Sequence, residues 1–263
     1  MKNILVVLAI ASLISLGFVL NNSKSDKSDN KIQFNETTET EYPVIVELFT
    51  SQGCSSCPSA DKVLKEIVDN TETNGKPIYG LSFHVSYWNY LGWKDPYSKE
   101  SFTDRQHTYG AFMRARSIYT PQMIVNGIDQ FVGSSRSQAF HNIKKHLAIP
   151  KPDKVLISNV QIEDRKAIIN FSIDSELEKS LINFALVERN LKNYVPRGEN
   201  SGRELSHDNV VRNFETRGFS ESGKVELDIP KDLVLANSSI VVYTQNPLNY
   251  TVLGAHKYDL SSI

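Results

Sequence analysis

The chain has 263 residues and nearly balanced charge, 29 Lys and Arg against 30 Asp and Glu for a net charge of −1. That balance gives no sign of nucleic-acid binding or of a polybasic membrane surface, while an apolar content of 40% suits one large or two modest folded domains. With only two cysteines, neither a disulfide-dense scaffold nor a four-cysteine zinc site is available.

Met1-Lys2-Asn3 precedes an apolar run from Ile4 to Leu20. This is the pattern of an export signal, with Ser15-Leu16-Gly17 as a weak cleavage site, or of an uncleaved anchor. From Asn21 to about Thr40 the residues are polar and cannot bury apolar area. Residues 1–20 are thus expected to be a signal or anchor and 21–41 a disordered tether. The folded part is then expected to be periplasmic, extracellular or held on the outer side of the inner membrane, where disulfides persist. Membrane contact is expected only through the N-terminal segment.

Val44 to Thr50 is a β-rich run, and Pro58 to Val68 has helical character. Between them lies Cys54-Ser55-Ser56-Cys57. A cysteine at a strand–helix junction meets the positive end of the helix, which favours thiolate over thiol. Cys54 is therefore expected to be the attacking sulfur at an exposed helix tip, with Cys57 resolving. The two-residue spacer keeps the pair within bonding reach. A structural disulfide over so short a loop restrains the unfolded chain little, so a redox pair is the stronger reading.

A turn at Asn74-Gly75 leads to a second strand, Pro77 to Val85, expected to pair in parallel with the first. An aromatic segment, Tyr87 to Pro96, and a polar helix over Tyr97–Arg116 follow. Gln122 to Val125 is a strand, Asn126-Gly127 a hairpin signal, and Gln130 to Gly133 its partner. Ser134 or Ser135 is expected to cap a helix carrying Ala139, Phe140, Ile143 and Leu147 on one face. Pro150 and Pro152 end this unit, so domains are expected at 42–150 and 151–263. Beyond the boundary, strands are expected over 154–163, 167–174, 182–187, 225–229, 239–244 and 252–258, as a small antiparallel sandwich-like domain.

This order describes an α/β, thioredoxin-like fold with a helical insertion. Such a fold places a cis-proline before the strand that faces the disulfide, and Tyr119-Thr120-Pro121 stands at that position. Tyr119, Thr120, Pro121 and Trp88 are the expected substrate-binding residues, Thr120 offering its backbone to an extended chain. His84 is a candidate proton acceptor for Cys57, or a third metal ligand with both sulfurs, as copper handling would require. Asp95, before Pro96, is expected to cap a helix. The polar run Arg197, Glu199, Asn200, Arg203, His207 and Arg212 is either a loop held by its own ion pairs or a segment folding back on the cysteines. His107, His141, His146 and His256 show no ligand spacing.

Three stretches carry a resemblance: Val46 to Pro58, His84 to Pro96, and Tyr119 to Gly127. With Val195 to Arg212 they resemble the hallmark motifs of an exported bacterial family catalogued as domain of unknown function 1223. The resemblance spans roughly residues 43 to 260 and implies a thioredoxin-like fold and export, but no activity. From the residues themselves the expectation is a thiol–disulfide oxidoreductase acting on protein or small-molecule thiols, needing neither flavin nor nicotinamide. The alternatives are metal handling through Cys54, Cys57 and His84, or a non-catalytic interaction module. Potentials of such pairs run from about −270 to −120 mV, and the uncharged Ser-Ser spacer leaves the direction open.

Overall fold

The structure, a computed structural model, describes residues 41–177 and 179–263. The expected signal and nearly all of the expected tether lie outside these residues. No helix among the described residues is long and apolar enough to cross a membrane.

The first half alternates as the sequence predicts. Strand β1 (Val44–Thr50) is followed by helix α1 (Cys57–Asn74) and strand β2 (Ile78–His84), which pairs in parallel with β1 from Val44↔Ile78 to Thr50↔His84. A short 3-10 turn, Asn89–Leu91, sits in the aromatic segment. Helix α2 is shorter than expected, Glu100–Phe112. Strands β3 (Gln122–Val125) and β4 (Asp129–Val132) form the hairpin around Asn126 and Gly127, both with positive φ. Asn126 suits that turn doubly, because its Oδ1 also accepts the Ile45 N–H at 2.8 Å. Helix α3 (Arg136–Leu147) starts after Ser135, whose side chain makes no capping bond.

The second half supplies β5 (Lys154–Glu163), β6 (Lys166–Asp174), β7 (Leu181–Glu188), β8 (Leu191–Val195) and β9 (Arg203–His207). It ends with β10 (Val210–Gly218), β11 (Ser222–Asp228), β12 (Ser238–Gln245) and β13 (Val252–Asp259). Strands β8, β9 and β10 are structured where a polar loop was one expectation. Val195 and Leu205 turn inward between exposed neighbours, too sparse an alternation to mark strands from sequence.

The expectation of a separate domain over 151–263 is corrected. Strands from both halves form one eight-stranded sheet, ordered β13-β12-β7-β10-β2-β1-β3-β4. The seam is short: β10 pairs with β2 at Val210↔Ser82, with the Ser82 N–H donating to the Asn209 carbonyl at 2.8 Å. The described residues belong to one compact unit. A second sheet, β11-β6-β5, packs on the far strands as the sandwich-like layer, and β8-β9 form a separate hairpin.

Alternation along the strands assigns three cores. Val44, Val46 and Leu48 face α1 and α3, packing on Leu64, Ile67, Phe140 and Ile143. Ile45 and Phe49 face the other way, into a cluster with Phe83, Phe102, Tyr109, Ala185, Val187, Val241 and Tyr243 that unites the halves. Ile182, Phe184 and Leu186, in the alternate register of β7, meet Ile169, Phe171 and Leu227 of the second sheet. Each fully buried Leu, Ile or Phe contributes about 1.5–3 kcal/mol, so the shared cluster is what fuses the two halves.

Candidate functional site

β1 delivers the chain to the cysteines. After Thr50, the Cys54 N–H bonds the Ser51 carbonyl and the Cys57 N–H bonds the Cys54 carbonyl, both at 3.2 Å. Pro58 then enters the first turn of α1, where its missing N–H costs nothing. A disulfide joins Cys54 and Cys57, with Cα atoms 5.4 Å apart. The expected exposed tip is corrected: Cys54 is 1% exposed and Cys57 0%, although Ser55 and Ser56 between them are exposed.

Two covers account for that burial. The first is the aromatic segment. A Cβ on Gly53 would lie 2.9 Å from the Trp88 Cβ, so glycine is what lets Trp88 press on the loop. The Trp88 Nε1–H donates to Thr120 Oγ1 at 2.7 Å. The Thr120–Pro121 bond is cis. Because Phe49 pairs with Gln122, Pro121 comes level with Thr50, where the cysteine loop begins. Trp88, Thr120 and Pro121 thus gather at the disulfide loop. Tyr119 does not; its hydroxyl donates to Gln130 Oε1 at 2.7 Å.

The second cover is the tip of the β8-β9 hairpin, so the fold-back expectation for the polar run describes its N-terminal part. Asn200, fully buried, donates through Nδ2 to the Gln52 carbonyl at 3.0 Å and the Cys54 carbonyl at 2.9 Å. Arg203 Nη1 donates to Asn200 Oδ1 at 2.6 Å and fixes the amide's orientation. Glu199 accepts the Ser55 N–H at 2.8 Å, and bonds from the Ser55 side chain and N–H hold its carboxyl below the usual range. Arg197 is exposed beside Gly92. Arg212 belongs elsewhere: it pairs with Glu188 and, at 2.7 Å, with Asp232, over the Tyr97 ring.

Beneath the loop lies a polar chain that sequence reasoning found only in part. Asp61 follows Cys57 by one helical turn on the buried face of α1. Its Oδ1 accepts the Thr50 hydroxyl at 3.0 Å, and its Oδ2 lies 3.3 Å from His207 Nδ1. The His207 tautomer follows from a neighbour. The Trp93 indole can only donate, and it does so to Gln52 Oε1 at 3.0 Å. The Gln52 amide nitrogen therefore faces Asn193 Oδ1 at 3.1 Å and His207 Nε2 at 3.2 Å. His207 Nε2 must accept, which leaves its proton on Nδ1, on the Asp61 side. An acidic residue at i+4 from Cys57, on the apolar side of a helix, was the available signal for Asp61; nothing local marks Gln52.

His84 takes a different part from the expected one. Its Nδ1 lies 2.7 Å from Asp95 Oδ2, its Nε2 has no hydrogen-bond partner, and its ring stands edge-on to His207 at 4.9 Å. Burial pulls its pKa down, but Asp95 and then Asp61 outweigh that and raise it. Burial likewise pushes Asp95 up, yet His84 and the Gln52 and Tyr97 N–H donors hold it below the usual range. Asp95 is thus no helix cap but the buried partner of His84. Among the described residues no cluster of three His, Cys, Asp or Glu is placed to hold a metal, so the Cys54–Cys57–His84 set is not assembled.

A family model described as "Protein of unknown function (DUF1223)" matches residues 45–245. No curated protein matches. Among solved structures, one of a protein from Agrobacterium tumefaciens, determined as a structural genomics target, is similar at 26% identity and a TM-score of 0.61. That match covers 83% of this chain and 95% of the other. HBP35 of Porphyromonas gingivalis is similar in fold alone, at 11% identity and a TM-score of 0.60, over 85% of this chain and 76% of its own.

Proposed function

We propose that this chain, which belongs to the DUF1223 family and so inherits no described activity, is an exported thiol–disulfide oxidoreductase with a thioredoxin-like catalytic unit. The observation that carries the reading is the Cys54–Cys57 disulfide at the start of α1, in a loop that begins level with Pro121 and one helical turn before the buried Asp61. A purely structural cross-link does not call for a buried carboxylate one helical turn beyond its second cysteine.

In the reduced enzyme the Cys54 thiolate, favoured by the α1 dipole, attacks one sulfur of a substrate disulfide. The substrate S–S bond breaks, a mixed disulfide forms, and the first substrate thiolate leaves to be protonated by water. The Cys57 thiol then gives its proton to the Asp61 carboxylate, which the Thr50 hydroxyl orients and the His207 ring flanks at 3.3 Å. The Cys57 thiolate attacks Cys54 Sγ, the mixed disulfide breaks, and the second substrate thiolate departs. Two electrons pass from the dithiol to the substrate; an external dithiol restores the reduced pair, and oxidation of substrates reverses the steps.

Cys54→Ser is expected to abolish dithiol-dependent reduction of a model disulfide, and Cys57→Ser to accumulate the mixed disulfide, seen by mass spectrometry. Equal turnover by the double variant and the parent protein overturns the reading.

A further inference from the structure

We infer that the β8-β9 hairpin tip, residues 196–202, is a size gate that restricts the cysteine pair to small thiols and disulfides. This rests on the proposed thiol chemistry. The tip comes from the other half of the chain, well over a hundred residues from Cys54, yet it holds the loop by three hydrogen bonds: Asn200 to the Gln52 and Cys54 carbonyls, and Ser55 to Glu199. Those groups are two backbone acceptors and one backbone donor of the cysteine loop itself. They are what a substrate chain lying across the loop would otherwise engage, so the hairpin occupies the substrate's own contacts.

The construction is that of a movable cover. Gly198 and Gly202 bound the tip, both with positive φ near +80°, so the turn is set by its backbone and not by a packed core. Glu199, Arg197, Ser201 and Gly202 are exposed; Asn200 alone is driven inward as the peg. With the peg seated, Cys54 is 1% exposed even though Ser55 and Ser56 meet solvent. The aromatic segment completes the cover: the Trp88 Cβ presses on Gly53, and Leu91 and Gly92 lie against Gly198 and Arg197 of the tip. A narrow molecule needs only a slight lift of the tip beside Ser55 and Ser56. A folded protein needs the tip withdrawn and all three bonds broken.

The test compares two oxidants of the reduced, full-length protein: hydroxyethyl disulfide, which is small, and a folded protein with one surface disulfide. The parent is expected to react much faster with the small one. Asn200→Ala removes two of the three bonds and should raise the rate with the protein disulfide about thirtyfold while changing the small-molecule rate far less. Glu199→Ala, an exposed change that leaves the peg in place, should move the ratio the same way by less. An unchanged ratio in both variants overturns the gate. A second readout separates this from failure of the redox reading: alkylation of reduced Cys54 by iodoacetamide against a polyethylene-glycol maleimide, which needs no turnover. If the bulky reagent labels the parent as readily, relative to iodoacetamide, as it labels Asn200→Ala, there is no gate. If Asn200→Ala selectively admits the bulky reagent while neither protein exchanges with any disulfide, the gate stands and the oxidoreductase reading falls.

Discussion

Two buried charged clusters lie on either side of the sheet, and they are built to opposite rules. In the first, Glu47 of β1 receives Arg105 of α2 through two bonds of 2.7 Å, with the Tyr109 and Tyr243 hydroxyls donating to the same carboxylate at 2.8 and 3.1 Å. Gln245 closes the ring, and the Arg105 guanidinium lies 4.7 Å from the Phe214 ring centroid. None of the fully buried side-chain nitrogen or oxygen atoms of these residues lacks a partner. In the second, Asp61, His207, His84 and Asp95 leave His84 Nε2 and His207 Nδ1 without aligned hydrogen bonds. Burial of charge is common to both and marks neither. A cluster whose buried polar atoms are all paired holds its elements together, whereas one with spare ring nitrogens keeps a place for a proton.

The largest effect that would sharpen this contrast falls on stability. Arg105→Ala leaves the Glu47 carboxylate buried without its counter-charge, a change that costs about 3–5 kcal/mol. Because Glu47, Tyr109, Tyr243 and Gln245 come from both halves, the loss should appear as one cooperative shift in urea unfolding. Thiol exchange per folded molecule should stay at the parent's value. Separate unfolding of the halves, or a stability near the parent's, breaks the assignment of this cluster as the structural one.

The second cluster should answer in kinetics. Asp61→Asn keeps a polar partner for Thr50 and His207 but accepts no proton, so resolution of the mixed disulfide at pH 7 should slow about a hundredfold, the low end for a general base. A structural role would give a deficit independent of pH. A base gives one that shrinks as pH rises and hydroxide takes over removal of the thiol proton. Rapid-quench measurement of the mixed disulfide from pH 6 to 10 distinguishes them, and a constant ratio across that range removes Asp61 from the mechanism.

What could be read beforehand was whatever the chain encodes locally. The strand, Cys-x-x-Cys and helix of residues 44–74, the Asn126-Gly127 hairpin and the placement of Pro121 are short-range patterns, and they appear as expected. What escaped depends on distant partners. Val210 to Gly218 looked like the end of a polar loop because Arg212 lies in it, yet Glu188 and Asp232 neutralise that arginine and let β10 enter the main sheet. Asp95 beside a proline resembled a cap until His84 claimed it. The cysteines looked exposed because nothing in residues 51–58 announces that Asn200 will cover them.

The smallest expected effect tests the longest chain of contacts. Trp93→Phe keeps an aromatic side chain but removes the indole donor that turns Gln52. Its amide is then free to flip, offering oxygen instead of nitrogen to His207, which would shift the imidazole proton from Nδ1 to Nε2 and away from Asp61. One hydrogen bond of about 1 kcal/mol corresponds to roughly a fivefold slowing of the resolving step, with the first attack by Cys54 unchanged. Nitrogen-15 shifts of His207 should report the tautomer directly: Nδ1–H in the parent and a mixture in Trp93→Phe. A slowed step with an unmoved tautomer would mean that Trp93 acts through packing over Gln52, and the proton path would then begin at Asp61 alone.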